Sequence, residues 1–240
     1  MARAARGEKG FRARRGPSSL RADPTREAPM PVLLCFGDSN THGTPPIADR
    51  AAPYARHDAA TRWTRVLAGL LPAWEVVEEG LPGRTAQFAD PVMGAHMDGR
   101  DALKVALQSH GPLDAMTLML GTNDVKARFG ATPEKVAAGL AGLLDIALSP
   151  EMQERHGGFR VLLLCPPPVL EVGPFAGEFL GSRQVSLALP PLYRRLAEAR
   201  GCGFLDAGGV IEVSPVDGLH YDATAHRRLA GAVAEAVRAL

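Results

Sequence analysis

Residues 32–40 read VLLCFGDSN, and this short stretch points to a parallel α/β sheet. Five apolar residues in succession predict a strand that is buried on both faces, as the strands of a parallel sheet are. The chain then turns at Gly37 and Asp38 and presents Ser39 after the strand. Open α/β sheets bind their ligands at the carboxyl ends of their strands. Ser39 is therefore the first candidate for a nucleophile.

Short apolar strands and amphipathic helices alternate through the rest of the chain. Strands are predicted at 32–36, 74–78, 113–120, 161–165 and 203–206. Helices are predicted at 63–71, 99–109, 132–147, 190–196 and from 222 to the end, and the pattern assigns no element to 169–189. This alternation predicts a five-stranded parallel sheet that is covered by helices on both faces. Right-handed crossovers then bring the carboxyl ends of all strands to the same edge.

The composition divides the chain into two parts. Residues 1–30 lack apolar periodicity and are rich in Arg, Ala, Gly and Pro, so we expect a disordered basic N-terminal arm. Eight basic and three acidic side chains lie in residues 1–29, whereas the remainder is mildly acidic. We therefore expect one folded domain at residues 31–240, without the basic surface that nucleic-acid binding requires.

The sequence lacks the features of a membrane or secreted protein. No apolar run reaches the roughly 18 residues needed to span a bilayer, and no secretory-type apolar run follows the basic residues. Three cysteines, Cys35, Cys165 and Cys202, cannot all pair within one chain. We interpret them as small buried hydrophobes in a reducing compartment. The expectation is a cytoplasmic protein that does not contact a membrane.

A candidate base for the serine lies near the end of the chain. A serine hydroxyl is a weak nucleophile and needs a base together with a group that orients the base. Asp217 and His220 lie in the loop between the fifth strand and the last helix, at the same edge as Ser39. The three-residue spacing lets the carboxylate fold back onto Nδ1 and leaves Nε2 for the serine. We therefore predict that His220 is the base.

Three candidate oxyanion donors lie at the same predicted edge. They are the backbone N–H of Ser39 at a helix start, the backbone N–H of Gly83 and the side-chain amide of Asn123. Glycine lets a substrate oxygen approach the main chain closely. Each such donor is typically worth about 3–4 kcal/mol in the transition state of acyl transfer.

Four sequence blocks stand in the order of a known superfamily. They are Gly37-Asp38-Ser39, a glycine after the second strand, Gly121-Thr122-Asn123-Asp124 and Asp217-x-x-His220. In this order they resemble the SGNH hydrolase (GDSL-like esterase) superfamily. Three further stretches are similar to its arylesterase/acyltransferase branch: Arg62-Trp63-Thr64, Glu78-Glu79-Gly80-Leu81 and Gly83-Arg84-Thr85. The likeness covers residues 32–240 and leaves the arm uncovered.

The chain departs from the family pattern at two places. Asn40 stands where a GDSL protein has leucine. Either Gly80 or Gly83 could be the glycine of the second block, because the two lie only three residues apart. The similarity to the Leu-x-x-Arg-Thr motif of the branch favours Gly83 as the donor.

The resemblance implies a flavodoxin-like, three-layer α/β/α fold and an esterase that uses neither a cofactor nor a metal. Ser39, His220 and Asp217 would form the catalytic triad, and Ser39, Gly83 and Asn123 would form the oxyanion hole. Branch members are similar in hydrolysing short aryl and alkyl esters, and some transfer the acyl group to alcohols. The implied partners are a small-molecule ester and a water or alcohol acceptor. The resemblance also allows a homo-oligomer, although no stripe of residues in the sequence marks a surface for self-association.

Alternative interpretations exist for the function and for single residues. A carbohydrate O-acetyl esterase could use the same triad, and a catalytically silent binding module could keep the fold. Each block alone is also typical of a turn or a helix cap. The histidine-acid pairs His57-Asp58 and His96-Met97-Asp98 only weakly suggest a metal, and Asp222 with His226 predicts a helix cap and a surface pair. Six loop residues could line a pocket: His42, Phe88, Met93, Phe129, Phe175 and Phe179.

Overall fold

A five-stranded parallel sheet forms the centre of the computed structural model, which describes residues 30–240. The predicted disorder of the arm falls on residues 1–29 and lies outside the described residues. The strand order is β2-β1-β3-β4-β5, and all neighbouring strands are parallel. The predicted α/β fold is confirmed. The strands are β1 Val32–Gly37, β2 Glu75–Gly80, β3 Ala115–Met119, β4 Arg160–Cys165 and β5 Gly203–Asp206.

The apolar stretch that the sequence marks as buried forms β1, an inner strand between β2 and β3. Leu33 pairs with Val76 of β2 on one side and with Ala115 of β3 on the other. Every residue from Leu33 to Phe36 is fully buried. Because consecutive side chains of a strand point to opposite faces, both faces of β1 must be covered.

Eight helices lie within residues 30–240, and several begin at the caps that their sequences predict. Thr132 accepts a hydrogen bond from the Lys135 amide before Pro133, and Asp98 accepts one from the Arg100 amide. Such side-chain acceptors satisfy amides that have no partner inside the helix. The helices are α1 Ser39–His42, α2 Trp63–Leu70, α3 Gly99–Ser109, α4 Pro133–Ala147, α5 Pro150–His156, α6 Ser182–Leu187, α7 Leu189–Arg200 and α8 Ala223–Arg238.

The helices form a layer on each face of the sheet. On one face, Trp63 of α2 and Leu229 of α8 belong to the same buried cluster as Leu33. On the other face, helices α3, α4 and α7 pack against the sheet and share a second cluster. A fully buried leucine stabilises a fold by about 1.5–3 kcal/mol relative to an exposed one. These two apolar layers therefore hold the strand ends, and the loops that follow them, in fixed positions.

Helix α5 and the segment before α7 differ from the sequence expectation. Ser149 caps α5 and Pro150 occupies its first turn, which are signals of a helix start. The sequence pattern does not predict this helix, because seven residues are too few to show an apolar period. The unassigned segment 169–189 contains a 3-10 turn at Gly173–Phe179 and the helix α6. Helix α7 also continues four residues beyond its predicted end.

The predicted surface pair of Asp222 and His226 is wrong. Asp222 does cap α8, because its carboxylate accepts a hydrogen bond from the Ala225 amide at 2.8 Å. His226 is fully buried, and its Nδ1 accepts a hydrogen bond from the Trp63 amide at 3.2 Å. Burial lowers the pKa of His226 to about 3, so the ring is neutral at physiological pH. The packing of α8 against α2 causes this burial.

Two other expectations concern cysteines and membranes. Cys35 and Cys165 are buried, Cys202 is half-buried, and all three are free thiols. Within residues 30–240, no helix combines the length and the apolar character that crossing a bilayer requires.

Candidate active site

Ser39 lies where the inner strand β1 ends and a short helix begins. It is the first residue of α1, and its neighbour Asp38 caps this helix by accepting a hydrogen bond from the Asn40 amide at 2.9 Å. Gly43 ends the helix in the left-handed conformation, at φ 92°. Ser39 is only 8% exposed, and it lines a cavity. This is the position that the sequence predicts for a nucleophile.

His220 and Asp217 lie beside Ser39 although 181 positions separate the serine from the histidine. His220 Nε2 is 3.1 Å from Ser39 Oγ, and His220 Nδ1 is 2.7 Å from Asp217 Oδ2. These distances are within hydrogen-bonding range for a nucleophile, a base and the group that orients it. The structure thus brings together the three residues that the sequence selects as a triad.

The Asp217 carboxylate is fully buried and has no spare acceptor positions. Its Oδ1 accepts hydrogen bonds from the amides of Leu219 and His220 at 3.0 Å, and its Oδ2 accepts one from the Ile47 amide at 2.7 Å. Burial alone would raise the pKa of Asp217, but the hydrogen bond and charge of His220, together with the backbone amides, lower it. The carboxylate therefore stays ionised and can hold the imidazole with Nδ1 protonated.

Asn123 and Gly83 line the same cavity as Ser39 and His220. The Asn123 side chain is oriented by its Nδ2, which donates to the Arg84 carbonyl at 3.1 Å and lies 3.5 Å from Asp38 Oδ2. A primary amide has two N–H groups. The one directed at Asp38 makes only a long contact, so it is the one that can turn towards a substrate oxygen.

The two candidate glycines of the second block have different surroundings. Gly80 pairs with Gly37 inside the sheet, and a side chain there would collide with the main chain of His42. Gly83 lines the cavity at φ 91°, and a Cβ atom there would lie 2.8 Å from Met93 Sδ. A side chain would thus be excluded by close neighbours at both positions, but only Gly83 lines the same cavity as Ser39.

The cavity at the serine has a volume of about 280 Å³ and is mostly apolar. Of the six loop residues suggested for a pocket, Met93, Phe175 and Phe179 line it. Phe88 and Phe129 stack on one another instead, with ring centroids 4.6 Å apart. A larger groove of about 490 Å³ runs along 208–215 and the start of α8, and none of the predicted site residues lines it.

The predicted residue His42 does not line the serine cavity. Its Nε2 is within 2.7 Å of the Tyr54 hydroxyl, so the ring lies on the outer side of α1. Residues 30–240 contain no group of three or more His, Cys, Asp and Glu side chains with the geometry of a metal site.

Comparison with known proteins identifies the family. The model of the GDSL-like lipase/acylhydrolase family matches residues 35–228, which is most of the chain. The chain belongs to the GDSL-like lipase/acylhydrolase family. The resemblance to SGNH hydrolases is thereby confirmed, and the activity supported at this level is that of a carboxylic ester hydrolase. A search among curated proteins found no significant match.

Two solved structures illustrate how closely this family member resembles known ones. The native M. smegmatis aryl esterase is 39% identical, with a TM-score of 0.82, and the match covers 88% of this chain and 99% of that one. Est24, a carbohydrate acetylesterase from Sinorhizobium meliloti, is 36% identical with a TM-score of 0.81, and the match covers 87% and 99%. Both matches thus cover nearly the whole length of the two esterases.

In this GDSL-like hydrolase, a buried arginine that the sequence left without a role supports the site. Arg84 Nη1 donates to the carbonyls of Gly37 at 2.9 Å and Glu79 at 2.5 Å, at the ends of β1 and β2. Its guanidinium lies over the Phe36 ring, 4.1 Å from the centroid. Burial lowers the pKa of Arg84 to about 10, which leaves it charged at neutral pH. Arg84 therefore ties the turn that carries Gly83 to the turn that carries Ser39.

Two buried carboxyl groups lie behind the candidate oxyanion donors. Burial raises the pKa of Asp38 to about 6 and that of Asp124 to about 7. Asp124 accepts a hydrogen bond from the Ala86 amide at 2.9 Å. This contact links the third-strand turn to the loop after Gly83. No local pattern indicates these raised pKa values, because an Asp in a turn is ordinarily solvated.

The raised pKa of Asp124 predicts a measurable pH dependence of stability. Between about pH 4 and pH 7 the unfolded chain has lost this proton and the native protein still holds it, so the stabilisation is complete below pH 4 and is lost as the pH rises through 7. The Asp124→Asn variant lacks this titration. We expect the stability of the variant relative to wild type to improve by up to about 4 kcal/mol between pH 4 and pH 8.

Denaturant unfolding at four or five pH values measures this difference directly. Subtracting the free energy of unfolding of the variant from that of wild type cancels the contributions of the other carboxylates. Several of these stabilise the fold more as the pH rises, which is the opposite direction. Asp101→Asn removes an exposed carboxylate in the first turn of α3 and is the matched control, for which we expect no change of this size. If the difference between wild type and Asp124→Asn stays the same at all pH values, the prediction is wrong.

Proposed function

We propose that the protein is a serine esterase that hydrolyses short-chain aryl and alkyl esters through Ser39, His220 and Asp217. The observation that carries the proposal is the continuous hydrogen-bonded series from Asp217 through His220 to Ser39. An isolated Gly-Asp-Ser turn or an isolated Asp-His loop has an ordinary structural explanation. The contact between Ser39 and His220, which are 181 positions apart and line one cavity, is explained by catalysis rather than by local structure.

In the proposed mechanism Ser39 Oγ attacks the ester carbonyl carbon while His220 Nε2 takes the hydroxyl proton. The resulting imidazolium is stabilised by Asp217, which keeps its negative charge throughout. His220 then gives the proton to the leaving alcohol as the C–O bond breaks, and the acyl group stays on Ser39. Water, deprotonated by the same imidazole, attacks the acyl-enzyme and releases the acid. An alcohol in place of water would give acyl transfer.

The oxyanion of the tetrahedral intermediate would be held by three donors, the backbone N–H groups of Ser39 and Gly83 and the amide of Asn123. Two observations support this assignment. All three residues line the cavity of the serine, and Asn123 is held in place by the Arg84 carbonyl. Donors that are fixed before the reaction cost no reorganisation when the charge develops.

The size and chemistry of the cavity support short acyl groups. About 280 Å³ is at the lower end of the range of small-molecule sites, and a long acyl chain would not fit inside it. The similarity to the M. smegmatis aryl esterase supports an aryl leaving group. We propose acyl transfer to alcohols as a second outcome of the same acyl-enzyme.

A carbohydrate O-acetyl esterase is the second candidate function. The similarity to a carbohydrate acetylesterase from Sinorhizobium meliloti favours it, and the triad would act in the same way. Comparing kcat/KM for phenyl acetate and for acetylated xylose distinguishes the two substrate classes. The same acyl group is transferred in both, so the comparison isolates the alcohol half.

A serine-directed fluorophosphonate probe tests whether the site is catalytic at all. We expect wild type to gain the mass of one phosphonyl group, because an activated Ser39 attacks phosphorus as it would attack a carbonyl. Ser39→Ala should gain none under the same conditions. Intact-protein mass spectrometry measures both. An unlabelled wild type would favour the silent binding module over the enzyme.

A further inference from the structure

The serine cavity contains a buried amine to which the proposed mechanism assigns no function. Lys126 follows Asn123 by three residues and lines the same cavity as Ser39 and His220. Its side chain is only 5% exposed. Lysine is almost never buried to this extent unless it is paired, because an ammonium loses its hydration when it leaves water. The partners of Lys126 therefore decide what it can do.

The ammonium of Lys126 has weak partners. Among residues 30–240, its one hydrogen bond goes to Met93 Sδ at 3.6 Å. A thioether is a weak acceptor, whereas an ammonium has three N–H groups to donate. The carboxylate of Asp90 lies 3.7 Å away, beyond hydrogen-bonding distance. Within the described part of the chain, two of the three donors thus lack an acceptor.

Asp90 is already engaged by another cation. Its Oδ2 accepts a hydrogen bond from Arg128 Nη2 at 2.6 Å, and its Oδ1 accepts from the amides of Val92 and Met93. These contacts fix the carboxylate on the Arg128 side. Asp90 therefore attracts Lys126 electrostatically without satisfying its donors.

The ion network around Lys126 has one positive charge in excess. Its cations are Lys126, Arg128 and Arg50, and its anions are Asp90 and Glu178, which binds both arginines. Arg50 is half exposed to solvent, whereas Lys126 is buried. The carboxylate neighbour of Lys126, Asp90, is held by Arg128, so Lys126 is the least neutralised buried cation of the network. Burial raises the pKa of Asp38, the other buried carboxyl group nearby, and Arg84 attracts its ionised form together with Lys126. An anion from outside the protein would complete the network.

The position of Lys126 places this excess charge beside the candidate oxyanion donors. Met93 Sδ, which accepts from Lys126, lies so close to Gly83 that a Cβ atom there would be 2.8 Å from it. Much of the remaining lining is apolar. It includes Ile47, Pro82, Val92, Phe175, Phe179 and Leu219. Arg128 and Glu178 also line the cavity, but Arg128 already donates to Asp90 and to Glu178. An anionic group on the substrate therefore finds its freest donor at Lys126.

We propose that Lys126 makes the cavity selective for esters that carry a carboxylate or a similar anionic oxygen group on their acyl or alcohol half. The inference rests on the proposed function, since the ester must react at Ser39. The anionic group accepts hydrogen bonds from the free N–H groups of the ammonium, replaces the thioether contact and neutralises the charge of Lys126. Charge-assisted hydrogen bonds of this kind are about twice as strong as neutral ones.

Two pairs of esters test the proposal and separate the halves of the substrate. Comparing 3-acetoxybenzoate with methyl 3-acetoxybenzoate places the anion on the alcohol half. Comparing phenyl hydrogen glutarate with methyl phenyl glutarate places it on the acyl half. For each pair the readout is the ratio of kcat/KM for the anionic ester to kcat/KM for the neutral one, with the uncatalysed rate subtracted. We expect Lys126→Met to lower this ratio at least tenfold in one of the two pairs.

Two further variants serve as controls. Lys126→Arg keeps the charge and should keep most of the preference. Lys104→Met makes the same chemical change at an exposed lysine of α3 and should leave both ratios unchanged. If Lys126→Met hydrolyses the neutral esters with wild-type ratios in both pairs, the selectivity proposal is overturned and the esterase stands. If wild type hydrolyses none of the four esters, the esterase proposal fails and the selectivity proposal fails with it.

Discussion

The Ser39→Ala variant is expected to lose about 10⁴–10⁶-fold in kcat for phenyl acetate hydrolysis, the loss typical of removing a triad nucleophile. Without the hydroxyl no acyl-enzyme forms, and what remains is binding plus the oxyanion donors. The fold should not suffer, because Ser39 Oγ contacts His220 and takes no part in capping α1, which Asp38 does. Initial rates followed by phenol release measure the effect.

Ser109→Ala is the matched control for this experiment. It removes the same hydroxyl from an exposed serine at the end of α3, which does not line the cavity. Its rate should equal that of wild type, and both variants should have the thermal midpoint of wild type. A Ser39→Ala protein that is folded and keeps a tenth or more of the activity would rule out Ser39 as the nucleophile.

The sequence predicts the site well where chemistry coincides with topology. Ser39, Asn123 and His220 each follow a predicted strand, and parallel strands with right-handed crossovers bring such ends to one edge. The contact between Ser39 and His220 therefore follows from strand order, although the sequence separates them widely. The sequence also predicts the cap of α4 and the buried faces of β1. These follow from a local capping signal and from a run of apolar residues rather than from strand order.

The sequence fails where burial arises from contacts between distant segments. Asp124 contacts Ala86 from 38 positions away, and His226 contacts Trp63 from 163 positions away. Nothing local distinguishes these residues from solvated ones, so a buried acid and a buried imidazole look like surface groups. Lys126 is the same case, since its burial depends on Met93 and Asp90 in another loop. The surroundings of such residues are set by tertiary contacts, which the local sequence pattern does not show.

The pocket residues show the same division. The cavity is lined by Met93, Phe175 and Phe179, as their place at the sheet edge predicts. The rings of Phe88 and Phe129 instead stack on each other. A loop position predicts the edge of the sheet that a residue is near. It does not predict whether the side chain turns inward.

The Asp217→Asn variant is expected to lose about 10⁴-fold in kcat while it keeps Ser39 and His220. An asparagine that presents its NH₂ group to His220 Nδ1 cannot accept that proton, so the imidazole adopts the other tautomer and Nε2 no longer accepts from Ser39. The same NH₂ group would face the Ile47 amide, a donor that Asp217 Oδ2 now satisfies at 2.7 Å. Leaving a buried amide unpaired costs about 1–3 kcal/mol, so the variant should also unfold at lower denaturant concentration.

The two effects of Asp217→Asn can be told apart by a control at the neighbouring helix cap. Asp222→Asn makes the same change at a carboxylate that only accepts a hydrogen bond from the Ala225 amide, and asparagine caps helices as well as aspartate does. It should keep both activity and stability. Fluorophosphonate labelling of Asp217→Asn should be slowed by a factor similar to the loss in kcat, because both depend on the activated serine. If Asp217→Asn were folded and labelled at the wild-type rate, Asp217 would be a structural residue of the loop, and the imidazole would owe its orientation to another group.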